Sequence, residues 1–340
     1  MTTSTIAPTP RHDGITITDL TKSYGSTRVL EGITASLAKG KIHGLLGANG
    51  VGKTTLLACI ANHTFRQAGV ITIDGADPRE SAEVLARMCF IREDQRYPDE
   101  FRLETMLQIA PEFYPAWDAE LVARLVERFR LPLQTKTKKL SRGQRSALAI
   151  TISLASGADY TFLDEPYLGL DATARGIFYE ELLSAYAESL AADRPRTFVV
   201  STHLIDEAAD LLEEVLIIDS GRVVLAGPTE LALAAAFTAR GPKAAVLALS
   251  AGRELLTQRT LAGVVEATIL GTLTPADEEA ARADGVELSL VSLQDFVAAV
   301  GESRLGARLS APLTSESRTS ASQTPSSAPD SSVTTRKAQS

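Results

Sequence analysis

Gly47-Ala48-Asn49-Gly50-Val51-Gly52-Lys53-Thr54 stands between an apolar run, Lys41 to Leu46, and a helix-forming run, Lys53 to Ala61. Glycines at the first, fourth and sixth places let successive backbone N–H groups of residues 47–52 turn inward around an anion. The helix that follows points its N-terminus, the positive end of its dipole, at the same spot. In a loop of this spacing Lys53 reaches the β- and γ-phosphates of a nucleotide and the Thr54 hydroxyl ligates Mg²⁺, with Thr55 beside it among the cofactor-binding positions. A strand, a phosphate-cradling loop and a helix in this order point to an α/β fold.

A second apolar run, Tyr160-Thr161-Phe162-Leu163, ends in two adjacent carboxylates, Asp164 and Glu165. Taken alone, such a pair after a strand is commonly solvated loop. With a phosphate loop in the same chain, Asp164 is the candidate to hold Mg²⁺ through water, and Glu165 the candidate to orient or deprotonate an attacking water.

Further strand-like runs recur along the chain: Gly14 to Thr18, Val70 to Ile73, Met88 to Ile91, Thr197 to Ser201 and Val215 to Ile218. They vanish between about residues 93 and 156, where a helical subdomain is expected. There Asp118 is placed to cap a helix carrying Leu121, Val122, Leu125, Val126 and Phe129 on one face, with Pro132 just beyond its end. The pattern divides the chain into an N-terminal tail (1–13), a main domain (14–228) and a small α+β accessory domain (229–309). Ala244 to Leu249, Val264 to Leu270 and Val286 to Val291 are the strand-like runs of the accessory domain. Residues 310–340, dominated by Ser, Thr, Pro and Ala, lack the apolar surface to offset ordering entropy and read as a disordered tail.

Composition sets outer limits. The 340 residues carry 34 Lys plus Arg against 42 Asp plus Glu, a net charge of −8, which gives no global footprint for nucleic acid. The longest stretch free of charged side chains, Ser146 to Ala158, falls short of the about 18–20 residues a membrane-spanning helix needs. Cys59 and Cys89 sit in apolar surroundings without metal spacing, and Met1 to Arg11 lacks the basic and apolar regions of a secretion signal. A cytoplasmic location is the expectation.

Leu140-Ser141-Arg142-Gly143-Gln144 shortly precedes the Asp164 strand, Gly169-Leu170-Asp171 follows it, and Ser201-Thr202-His203 closes a later strand. With the phosphate loop and the carboxylate pair, this succession resembles the ABC ATPases over about residues 14–228. The 112–118 and 165–171 segments are similar to a bacterial transporter subgroup often encoded beside GntR-type regulators. The resemblance implies a P-loop NTPase fold of ABC type and ATP with Mg²⁺ as ligands. It also implies a head-to-tail dimer, with the same chain or another ATPase subunit, in which each nucleotide is shared between two subunits. Ser141 and Gly143 then meet the γ-phosphate across the interface, Asp171 links the two sites, and His203 senses the γ-phosphate. Tyr24 occupies the place of an aromatic that stacks on adenine. The family places a glutamine after the Met88 to Ile91 strand to contact Mg²⁺. This chain has Arg92-Glu93-Asp94-Gln95, so either Glu93 replaces it or Gln95 serves after a small shift, Gln95 being preferred. The implied partners are separate transmembrane permease subunits, with the chain peripheral on the cytoplasmic face of the membrane. A soluble ABC ATPase acting on ribosomes or nucleic acid is the rival, though the paired cassettes or long coiled coil of those proteins are not visible.

Overall fold

Strand Ile42–Leu46 is buried along its whole length. In the computed structural model, which describes residues 13–79, 81–309 and 312–313, it is an inner strand of a six-stranded sheet. The strand order is Met88–Ile91, Tyr160–Asp164, Thr197–Ser201, Ile42–Leu46, Glu214–Asp219, Arg222–Pro228. All neighbours run parallel except the last, which pairs antiparallel. Alternate side chains feed two cores: Leu45, Phe162, Val199 and Leu216 go to one, and Leu46, Leu163, Val200 and Ile217 to the other. Burial on both faces is what continuous apolar strands of a parallel sheet require. The phosphate loop and Glu165 leave the C-terminal ends of two of these strands, where open α/β sheets bind ligands.

A three-stranded antiparallel sheet, Thr27–Ala38, Gly14–Tyr24, Ala68–Ile73, covers one core. The expected strand from Gly14 to Thr18 continues to Tyr24 through register shifts after Ile17, and so delivers Tyr24 to the sheet end. Between residues 93 and 156 the longer elements are the helices Leu103–Ile109, Ala119–Arg128 and Arg142–Ala155, with no strand among the described residues. Asp118 caps the second of them, accepting a bond from Leu121 N at 2.8 Å.

Past Pro228 a four-stranded antiparallel sheet forms in the order Leu255–Leu261, Val264–Leu270, Ala236–Pro242, Glu287–Leu290. It has a small core of its own around Phe237, Val246, Val265 and Ile269. The run Ala244 to Leu249, expected as a strand, is the helix Lys243–Leu249. Its alanines and leucines favour helix, and a short apolar run has no periodicity to arbitrate. Helix Leu293–Ser303 belongs elsewhere: Leu293, Phe296, Val297 and Val300 are buried in the main core. Leu313, expected in the disordered tail, pairs with Leu225 on the edge strand, its N–H donating to Val224 O at 2.7 Å. The rest of that tail, and residues 1–12, lie outside the described residues. No described helix is long and apolar enough to cross a membrane.

Candidate functional site

The loop after Ile42–Leu46 turns through left-handed conformations at Gly50 and Gly52, with φ of 81° and 110°. A methyl group at Gly47 would lie 2.3 Å from the Ile218 carbonyl oxygen, so the loop can only run this close to the neighbouring strand with glycine there. Helix Lys53–Ile60 then starts from Gly52 with no acidic residue in its first turn, keeping its N-terminal field free for an anion. Lys53 is 7% exposed, and its ammonium donates to the carbonyl oxygens of Gly47 (2.8 Å) and Ala48 (3.2 Å). Burial pulls its pKa below the usual lysine value, while the Glu165 and Asp164 charges beside it act the other way.

Opposite the loop, Asp164 is 1% exposed and neither of its carboxylate oxygens has a hydrogen-bond partner among the described residues. Burial pushes its pKa up; the nearby Thr54 and Ser201 hydroxyls, which stand by without closing a bond, oppose the rise, and the Glu165 charge adds to it. Two bare carboxylate oxygens this deep are costly unless something positive meets them. With the Thr54 hydroxyl they form an oxygen donor set suited to Mg²⁺. Among the described residues no group of three or more His, Cys, Asp and Glu is arranged to hold a metal ion, so such an ion would take most of its ligands from phosphate and water.

Glu165 adopts a left-handed φ of 50°, rare outside glycine, asparagine and aspartate, and is 7% exposed. Its Oε2 accepts from the Tyr167 hydroxyl and from His203 Nδ1, the latter at 2.7 Å. Its Oε1 is buried without a partner. Because a carboxylate can only accept, the imidazole proton facing it lies on Nδ1.

These groups surround a cavity of about 600 Å³ lined by Tyr24, Asn49, Gly50, Gly52, Lys53, Thr54, Thr55, Asp164, Glu165 and His203, all singled out in the sequence. Its wall also contains Val29, Glu93, Arg142 and Leu168. The Tyr24 ring is 52% exposed, with the Lys22 ammonium 4.9 Å from its centroid. Gln95 does not line this cavity; it lines an adjoining hollow with Arg145, Ser146 and Pro166, whereas Glu93 borders both. Of the two alternatives after that strand, geometry brings Glu93 to the phosphate loop's cavity. The other described histidines stand apart: His43 is buried in the central strand against Ala38 O, and His63 packs edge-on against Phe90, while His12 lies outside the described residues.

Ser141, Gly143 and Asp171 do not line the cavity of their own chain. Ser141 caps helix Arg142–Ala155 reciprocally: its hydroxyl accepts from Gln144 N (3.2 Å) and its N–H donates to Gln144 Oε1 (3.0 Å). The hydroxyl proton of Ser141 is left to donate elsewhere. A methyl at Gly143 would sit 2.4 Å from Gly169 O, so the signature helix, Arg142–Ala155 with the signature segment Leu140 to Gln144 at its start, and the segment after Glu165 touch backbone to backbone. Asp171 caps helix Ala172–Ala191 through Ala174 N at 2.8 Å.

Arg142, which from its place in the Leu140 to Gln144 segment could reach phosphate, an opposing carboxylate or solvent, and two groups to which the sequence assigned no role, Tyr167 and Arg196, make contacts between distant segments. Arg142 pairs with Glu93 at 2.9 Å, bridging the signature segment to the stretch after Met88–Ile91. Tyr167 reaches Glu165, Thr202 and His203. Arg196, 8% exposed, donates to the carbonyls of Ser153, Leu154 and Ala158 at the end of the signature helix. The Arg142–Glu93 pair, the Tyr167 bonds to Thr202 and His203 and the Arg196 contacts join residues distant in sequence, which no spacing rule marks.

Comparison with known proteins agrees with this geometry. The family profile described as ABC transporter matches residues 30–168. The chain is 28% identical over 193 residues to the ABC transporter ATP-binding protein YtrB of Bacillus subtilis, spanning 57% of this chain and 64% of that protein's length. It is 32% identical over 228 residues to the ABC transporter ATP-binding protein NatA of the same organism, spanning 64% of this chain and 90% of NatA. A solved structure of an ATP-binding subunit of an ABC transporter superposes with a TM-score of 0.57 at 25% identity, covering 64% of this chain and 91% of that one. With the phosphate loop, the carboxylate pair and the signature helix arranged as described, the chain belongs to the ABC transporter ATP-binding proteins.

Proposed function

We propose that this chain binds ATP in the 600 Å³ cavity and hydrolyses it, driving a transporter whose membrane-spanning part is a separate polypeptide. The observation that carries the reading is the pairing of a phosphate loop with Glu165, which lines the same cavity and whose buried Oε1 has no hydrogen-bond partner among the described residues. Tyr24 offers one ring face to adenine, Lys22 lying near the ring. The N–H groups of residues 47–52 and the start of helix Lys53–Ile60 bind the phosphates, and Lys53 exchanges the Gly47 and Ala48 carbonyls for phosphate oxygens. Thr54 and Asp164 would hold Mg²⁺, which would supply positive charge to offset that of the phosphates. Glu165 Oε1 then accepts a proton from the water that attacks the γ-phosphorus, while Oε2 stays held by Tyr167 and His203.

Completion of the site by a second subunit fits the positions of Ser141, Gly143 and Asp171. They sit outside their own cavity, and Ser141 and Asp171 are exposed. Closure of such a dimer around ATP, at the cytoplasmic face of the membrane, is the motion delivered to the permease. In the purified full chain, Glu165→Gln should retain ATP and accumulate a stable dimer in size-exclusion chromatography, with turnover lowered by about a hundredfold or more. Turnover at the parental rate would remove Glu165 as the base.

A further inference from the structure

The Tyr167 hydroxyl is buried where two segments meet, the one after Tyr160–Asp164 and the one after Thr197–Ser201. Tyr167 is 2% exposed, and its hydroxyl uses all of its hydrogen-bonding capacity. The single proton goes to Glu165 Oε2, since a carboxylate cannot donate in return. The two lone pairs accept from the His203 backbone N–H at 2.9 Å and from the Thr202 hydroxyl at 2.7 Å. Thr202 Oγ1 itself accepts from Leu204 N at 3.0 Å, so the donors run in one direction toward the carboxylate. The tyrosine ring also meets the His203 ring edge-on, with centroids 5.6 Å apart.

We propose that Tyr167 is a positioning residue for hydrolysis: it pins Glu165 Oε2 and the His203 backbone to one point, so that Oε1 alone faces the attacking water. This rests on the reading of Glu165 as the base. The left-handed backbone at Glu165 makes such a pin useful, because a residue in that conformation keeps it only when its surroundings over-determine it. Without the hydroxyl, Oε2 keeps only His203, and the carboxylate is free to rotate both oxygens away from the water. Ground-state binding of nucleotide is untouched, since Tyr167 does not line the cavity.

Steady-state ATPase assays on the purified full chain test the proposal. Tyr167→Phe keeps the ring and removes only the hydroxyl; kcat should fall about tenfold while KM for ATP stays within about twofold. Thr202→Val, which removes one donor to that hydroxyl, should lower kcat by about threefold with the same constant KM, and it serves as the decisive variant if Tyr167→Phe does not fold. Parental kcat in either folded variant, or a rise in KM with kcat intact, overturns the positioning role. A Glu165→Gln control separates the two claims. If that control turns over at the parental rate, the base assignment fails and the positioning role with it; if it is slow while Tyr167→Phe is parental, only the positioning role fails.

Discussion

At the scale of single residues, the site concentrates costs that only a ligand relieves. Asp164 buries two carboxylate oxygens without partners, and Lys53 satisfies its ammonium with loop carbonyls. Lys53→Ala removes the only lysine among the described residues that line the cavity and should abolish measurable ATP binding in isothermal titration, a loss of at least about a hundredfold in affinity. Retained affinity would detach the phosphate-loop reading from this lysine. Arg142 and Glu93 are both exposed, and a bridge of that kind contributes only about 0–1 kcal/mol to stability. Arg142→Ala should therefore leave the thermal midpoint within about 2 °C of the parent, checked by scanning calorimetry. The motif residues at this scale were legible because their chemistry is local: a loop of six residues before Lys53 is read in one glance. The Arg142–Glu93 pair, the Tyr167–His203 bond and the Arg196 contacts were not, because those partners lie 49, 36 and up to 43 positions apart.

At the scale of elements, two polar junctions hold the site-bearing pieces in register. Arg196 places a nearly buried guanidinium on the last carbonyls of helix Arg142–Ala155, the negative end of its dipole, and 4.8 Å from the Phe198 ring centroid. Burial lowers its pKa to about 10, still leaving it charged at neutral pH. Arg196→Met leaves those carbonyls buried and unpaired and should cost about 3 kcal/mol in urea unfolding; a change under about 1 kcal/mol would deny it the capping role. Asp74, at the end of strand Ala68–Ile73, accepts from Gly14 N (2.9 Å) and the Tyr160 hydroxyl (2.6 Å), and pairs with Arg87 and Lys39. It thus ties the antiparallel sheet to the parallel one. Burial alone would raise its pKa, but the Tyr160, Gly14, Arg87 and Lys39 bonds outweigh it and bring it from 3.8 to about 2. Because the folded value is depressed, the stabilisation is complete above the unfolded value and is lost as pH falls from about 4 through about 2. With solvent screening, Asp74→Asn should cost about 1 kcal/mol at pH 7, with the difference from the parent closing toward pH 2 in parallel denaturation curves. The helix Lys243–Leu249 shows where element reading fails: six apolar residues carry no period, and only pairing partners decide between strand and helix.

At the scale of the whole molecule, the C-terminal part is attached by apolar packing. Its sheet has a separate small core, yet helix Leu293–Ser303 buries Phe296 at 0% exposure in the main core and brings Gly301 close to Ala48 of the phosphate loop. Phe296→Ala should therefore destabilise the ATP-binding part itself by about 3–5 kcal/mol, read as a lower unfolding midpoint of the nucleotide-bound chain. If only a separate, minor transition shifts, the helix is not part of that core. The sequence by itself determined the alternating α/β order, the helical stretch between residues 93 and 156, and the turn and strand-end geometry of residues 47–54 and 164–165 on which the proposed nucleotide site rests, since capping, glycine freedom and strand burial act over a few residues. Only the tertiary structure decided which of Glu93 and Gln95 reaches the cavity, that Tyr167 closes on Glu165 and His203, and that residues 293–303 complete the main core. Those outcomes depend on contacts between segments far apart in the chain, and packing selects such contacts from alternatives that local patterns leave equal.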